Sequence, residues 1–316
     1  MTSRTLFLHI GRGKTGTTLI QQFLSHNHEA LLSRGVHYLR ADDHGSGAGH
    51  QNFAKSFVSA PPGYMEMPGD PAAIQRAVAK EVIESDASAI LMSSENLTGV
   101  DPAVLASFAR EQLGNPVVRI IFFARSQDEV AESQYNQMVK WVGERRSFEE
   151  FAEDMGEVDY AAMLQPWASV FGRHNIIARV YDAGSDCVID DFLSCLPLSE
   201  GGAFERRAYA PDIANESVGY LTLHTYRMLN AFKIETQTRR SLYSTLRDSF
   251  KSTDVPALFF SAGEARRYRD RFRESNRRFL GAYLGRNEDD LGGRRYTDAE
   301  RDTIRSRIRA MSKDHP

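Results

Sequence analysis

Apolar runs and amphipathic stretches alternate through the first 180 or so residues. Leu6–Phe7–Leu8, continued by Ile10, breaks into Gly11-Arg12-Gly13-Lys14-Thr15-Gly16-Thr17-Thr18. Beyond it Ile20, Phe23 and Leu24 recur on one face of a helical pattern, predicted from about Gly16 to Leu32 and closed by Arg34-Gly35. Val36–Leu39, Ala89–Met92, Val117–Ala124 and Ile176–Val180 are further strand candidates. The third of these, VVRIIFFA, is apolar almost throughout, as suits a central parallel strand covered on both faces. Between the strands, Asp70-Pro71 and Asp101-Pro102 read as helix starts, cap then first turn. Ser126 with Glu129, and Ser147 with Glu150, have capping-box spacing.

Strands alternating with crossover helices imply an α/β fold: three layers, with a central, mostly parallel sheet between helices. The later chain reads as helical. Leu221, Met228 and Leu229 have core-face spacing on a helix from Glu216, capped by Asn215. Glu264–Leu284 reads as one basic helix burying Tyr268, Phe272, Phe279 and Tyr283 with its arginines outward. No linker or repeat interrupts the chain. The expectation is one domain over residues 1–316, with an α/β core to about 182 and a mainly helical remainder from about 183.

Composition narrows the classes. Apolar residues make up 41% of 316, enough for a sizeable core. A net charge of −3 gives no general case for nucleic-acid binding. Two cysteines, Cys187 and Cys195, form neither a disulfide framework nor metal-site spacing, which points to the cytoplasm. No signal-peptide pattern precedes the first strand, and no apolar run is long enough to span a bilayer. No metal is expected, because His44 and His50 alone fall short of a zinc ligand set.

The loop after the first strand carries the chemistry. Glycines let backbone approach a ligand, and the first helical N–H groups lack intrahelical partners. Lys14 adds a positive charge; Thr15, Thr17 and Thr18 add hydroxyl donors. The set suits a phosphate or sulfate. A nucleoside-triphosphate loop needs Gly, four residues, then Gly-Lys-Ser/Thr; counting back from Gly13-Lys14-Thr15, that first glycine falls at Leu8.

Lys14–Thr18, KTGTT between strand and helix, resembles the 5'-phosphosulfate loop of sulfotransferases that use 3'-phosphoadenosine 5'-phosphosulfate (PAPS). The resemblance extends to Arg125 and Ser133 inside RSQDEVAES, the positions that hold the 3'-phosphate in that family. Gln134–Gln137 and Asn215-Glu216-Ser217 look like a bacterial, soluble branch. The implied fold is P-loop-like, and the implied reaction is sulfuryl transfer from PAPS to a hydroxyl or amine, with a carbohydrate or glycolipid acceptor. The implied cofactor-binding residues are Arg12, Gly13, Lys14, Thr15, Gly16, Thr17, Thr18, Arg125, Ser133 and Arg206. Catalysis falls to Lys14 on the leaving phosphate and to a base. Glu95 resembles the position of the family's catalytic histidine, while His50 and His44 stand as alternatives; Glu95 also reads as a capping carboxylate. Tyr135, Lys140 and Trp141 are candidates for the acceptor cleft, and Trp141 equally for core. The competing functions are a P-loop kinase of a small metabolite and a non-catalytic nucleotide-binding protein of the same fold.

Overall fold

In the computed structural model the apolar runs form β1 (Thr5–His9), β2 (Val36–Tyr38), β3 (Ala89–Ser93), β4 (Val117–Ala124) and β5 (Ile176–Val180). They make one sheet in the order β2-β3-β1-β4-β5, with every pairing parallel. The structure describes residues 4–11, 13–42, 49–58, 69–156, 158–182, 188–206 and 217–314. Arg12, His44, Cys187, Asn215 and Glu216 lie outside them.

The chain divides into two units, one of Met1–Ala124, Asp159–Ala210 and Ser275–Glu288, the other of Arg125–Val158, Pro211–Glu274 and Asp289–Pro316. The first holds the sheet. Phe7, Leu91, Ile121 and Phe123 pack on one sheet face with Ile20, Phe23 and Leu24 of the helix Thr17–His26 and with Phe192. On the other, Phe122 meets the ring edges of Tyr160 and Phe279. Cover on both faces is why β4 is apolar along its buried length. The two proline-led helices start as expected: Asp70 accepts from Ala73 N–H and Asp101 from Ala103 N–H.

The expected first helix is two. Asn27 stands between Thr17–His26 and His28–Ser33, and its amide donates to Phe23 O (3.0 Å) and to Glu205 O (3.1 Å) while accepting from Glu205 N–H (2.8 Å). An asparagine that satisfies helix-end carbonyls and a distant strand of backbone together competes with helix continuation.

The second unit is helical, with Gln127–Gln137, Phe148–Asp154, Tyr220–Leu229, Thr236–Phe250, Ala262–Asp270 and Asp298–Asp314. The Ser147–Glu150 capping box forms in both directions. The one expected at Ser126 does not: Ser126 Oγ donates to Asp128 (2.6 Å), and Glu129 takes Arg125 and the N–H of Arg295 instead. The Tyr220–Leu229 helix buries Thr222, Leu223 and Tyr226, leaving Met228 outward, so its inner face differs from the expected one. The basic stretch is also broken, into Ala262–Asp270, Arg273–Phe279 and a π-turn Leu280–Leu284. Arg269 faces inward rather than to solvent, 2.7 Å from buried Asp128. Arg301 joins this cluster, donating to Glu132 at 2.7 Å.

Candidate active site at the sheet edge

β1 and β3 are register partners, with His9 opposite Ser93. Their C-terminal ends therefore release the Gly11–Gly16 loop and Ser94-Glu95 side by side, the edge at which open parallel sheets bind ligands. Lys14 and Gly16 both take left-handed backbone, with φ of 80° and 75°. Gly16 does so freely, whereas Lys14 carries a β-carbon into that region and is strained. Gly16 precedes the helix Thr17–His26, and no side chain caps that N-terminus. Its first N–H groups thus remain available to an anion on the loop.

Glu95 opens the 3-10 turn Glu95–Gly99, but the cap is Ser94, whose Oγ accepts from Asn96 N–H (3.2 Å). The Glu95 carboxyl is turned to the loop instead. A β-carbon on Gly13 would stand 3.3 Å from its Oε2. Burial pushes the carboxyl above its ordinary value, while the Lys14 charge and a hydrogen bond with Thr17 draw it down. Thr15 and Thr17 are buried, and their hydroxyl oxygens are 3.5 Å apart. The arrangement brings Gly13, Lys14, Thr17 and Glu95 together: a cationic, glycine-lined cradle with a carboxylate of raised proton affinity beside it. An anionic group such as a phosphate or sulfate suits this donor set of Lys14, the threonines and the helix N–H groups.

His50 sits below this edge. Ser93 N–H donates to its Nδ1 (3.1 Å), and its Nε2 lies 2.9 Å from Leu39 O. The ring is therefore a neutral Nε2–H tautomer with both nitrogens bound to backbone, and burial lowers its proton affinity. In this geometry it ties Leu39, just past β2, to the end of β3.

A second histidine escaped the sequence argument. His9 is fully buried; its Nδ1 lies 2.8 Å from Ser93 Oγ, which also accepts from Gln21 Nε2 (3.1 Å). Its Nε2 has no hydrogen-bond partner among the described residues. Burial lowers its pKa to about 3, so the ring is neutral. A β-carbon on Gly11 would come within 2.9 Å of that Nε2 and 3.0 Å of Thr17 Oγ1. His9 is therefore the floor on which the loop lies, and Gly11 is required by that close approach. The available signal was a single polar ring inside the apolar run Leu6–Ile10.

Arg206 is exposed and paired with Asp190. Arg125, in the helical unit, donates from Nε (3.1 Å) and Nη2 (3.0 Å) to Glu129 Oε2. Ser133 is half-buried on the helix Gln127–Gln137. Tyr135 is buried and donates to Arg146 O (2.7 Å), whereas Trp141 is 51% exposed and not core. Among the described residues no three His, Cys, Asp or Glu side chains gather as a metal site, and no helix is long and apolar enough to cross a membrane.

No model of a protein family matches the chain. An uncharacterized protein of Archaeoglobus fulgidus is 29% identical over 201 residues, which are 62% of this chain and 54% of that protein. The chain thus spans about half the length of the curated relative it matches. Among solved structures, the chain is similar to a sulfotransferase from Alicyclobacillus acidocaldarius, with a TM-score of 0.41, 17% identity, and 80% of this chain and 98% of that one covered. It is also similar to mouse sulfotransferase SULT7A1, solved with PAP, with a TM-score of 0.38, 12% identity, and 87% and 85% of the two chains covered.

Proposed function

We propose that the chain transfers a sulfuryl group from PAPS to a hydroxyl or amine of an acceptor, a carbohydrate or glycolipid headgroup. The observation that carries this reading is the Glu95 carboxyl against Gly13, beside Lys14 and turned away from the cap position of its own turn. A carboxylate buried there, with its proton affinity raised by that burial, is placed to take the proton of an acceptor.

The acceptor oxygen attacks sulfur as its proton passes to Glu95. The bond from sulfur to the bridging oxygen of the 5'-phosphate breaks in line with that attack. The negative charge gathering on the leaving phosphate is met by Lys14 and by the N–H groups at the start of the helix Thr17–His26. The products are the sulfated acceptor and adenosine 3',5'-bisphosphate. We assign Thr17 and Thr18 to the oxygens in transfer. Arg125 and Ser133 are the proposed readers of the 3'-phosphate, a role in which Arg125 shares its fork of donors with Glu129.

Calorimetry with adenosine 3',5'-bisphosphate, ATP and GTP tests the nucleotide part. The bisphosphate should bind far more tightly than either triphosphate, and Arg125→Ala should weaken it by about 2–5 kcal/mol. Preferential ATP or GTP binding would transfer the site to a kinase reading.

A further inference from the structure

Large apolar side chains of the helical unit stand exposed. Among the described residues they are Trp141 (51%), Val142 (59%), Met228 (57%), Phe232 (63%) and Leu242 (38%). They belong to three elements joined at Asn230, whose amide donates to Val139 O (2.8 Å) and Glu144 O (3.0 Å) and which accepts from Tyr243 Oη. Tyr243 in turn stacks on Tyr226 with ring centroids 3.8 Å apart. A β-carbon on Gly143 would stand 3.6 Å from Arg239 and 3.9 Å from Asn230. Each of the five exposed residues lies within two positions, along the chain, of Asn230, Gly143 or Tyr243. In the helix Thr236–Phe250 none of the described side chains is buried, although Leu242, Tyr243, Leu246 and Phe250 follow helical spacing.

Charge names the occupant. Residues 220–251 contain six cations, Arg227, Lys233, Arg239, Arg240, Arg247 and Lys251, against two carboxylates, in a chain whose net charge is −3. Both carboxylates are engaged locally, Glu235 as the N-cap of its helix and Asp248 with Arg247 at 2.9 Å. Exposed Trp, Phe, Met and Leu set among cations is the composition of a surface that lies in the headgroup region of an anionic bilayer. We infer that this face of the helical unit docks on anionic membrane surfaces, without any segment crossing the bilayer.

The test uses the full chain with vesicles of phosphatidylcholine alone or mixed with phosphatidylglycerol. The protein should sediment with the mixed vesicles at low salt, not with phosphatidylcholine alone, and should be released at high salt. Trp141 emission should shift to the blue on binding; the other tryptophan, Trp167, is buried. Met228→Glu with Phe232→Glu, both at exposed positions, should weaken vesicle binding at least about tenfold while circular dichroism stays unchanged. Lys233→Glu with Arg240→Glu should remove the preference for phosphatidylglycerol. The inference is overturned if neither vesicle binds, or if Met228→Glu with Phe232→Glu binds as the parent does. It is equally overturned if the chain instead forms a dimer by light scattering that those two substitutions dissolve, because the occupant is then a second copy.

Discussion

Oε2 of Glu95 lies 3.3 Å from where a β-carbon on Gly13 would stand, so any side chain at that position would crowd the carboxylate. If the proposed transfer takes place here, the glycine would set how close the carboxylate comes to the phosphosulfate. Gly13→Ala should push the carboxyl back by a few tenths of an ångström. Turnover should fall about 10-fold, the scale of small misplacements of a reacting group, with little change in melting temperature. Equal turnover in Gly13→Ala and the parent would show that this contact has no bearing on the reaction.

Lys14 is held at a φ of 80°, where a side chain costs about 1–2 kcal/mol that glycine does not. Lys14→Gly should therefore be more stable than Lys14→Ala in urea unfolding. Both should lose turnover by roughly 10²–10³, the scale of one strong donor to a developing charge. If the alanine and glycine variants have the same urea midpoint, the loop is not strained at this position.

Glu95 binds its proton more tightly when folded than when unfolded, chiefly because of burial. The sign follows from linkage: where the folded state holds more protons, stability falls as pH rises, beginning near the ordinary value of 4.5. Above the folded value the cost is fully present. Glu95→Gln should therefore melt higher than the parent at neutral pH, with the gain vanishing in acid below 4.5. A gain that persists unchanged in acid would have another source.

For His9 the sign is opposite. The unfolded chain takes up a proton below 6.5, while the buried ring resists it down to about 3, so stability is lost as pH falls through that window. His9→Asn keeps a partner for Ser93 Oγ and removes the titration. Its melting temperature should approach or overtake that of the parent on acidification. A parallel decline of the two proteins would mean that the ring is not buried as described.

The sheet was legible because its signals are local. Leu6–Ile10 and Val117–Ala124 are apolar enough to be strands whatever surrounds them, and Asp-Pro pairs start helices by their own chemistry. The Lys14 loop and Glu95 could be found because each follows such a strand. What periodicity could not see were partners far along the chain. Asn27 ends a helix by bonding Glu205, 178 residues away, and Arg269 turns inward to meet Asp128, 141 residues away. The failed capping box has the same cause: Glu129 fits the local pattern but is taken by Arg125 and by the backbone of Arg295. His50 read as an alternative base because its two backbone partners, Leu39 and Ser93, are recognisable only once β2 and β3 are paired.

The most direct measurement is transfer of labelled sulfate from PAPS onto fractionated glycans and glycolipids by the parent, Lys14→Ala and Glu95→Gln. The account predicts label in an acceptor fraction with the parent. Glu95→Gln should lower turnover by about 10²–10⁴ while binding adenosine 3',5'-bisphosphate as the parent does. No transfer to any fraction by the folded parent, or undiminished transfer by Glu95→Gln, would contradict it.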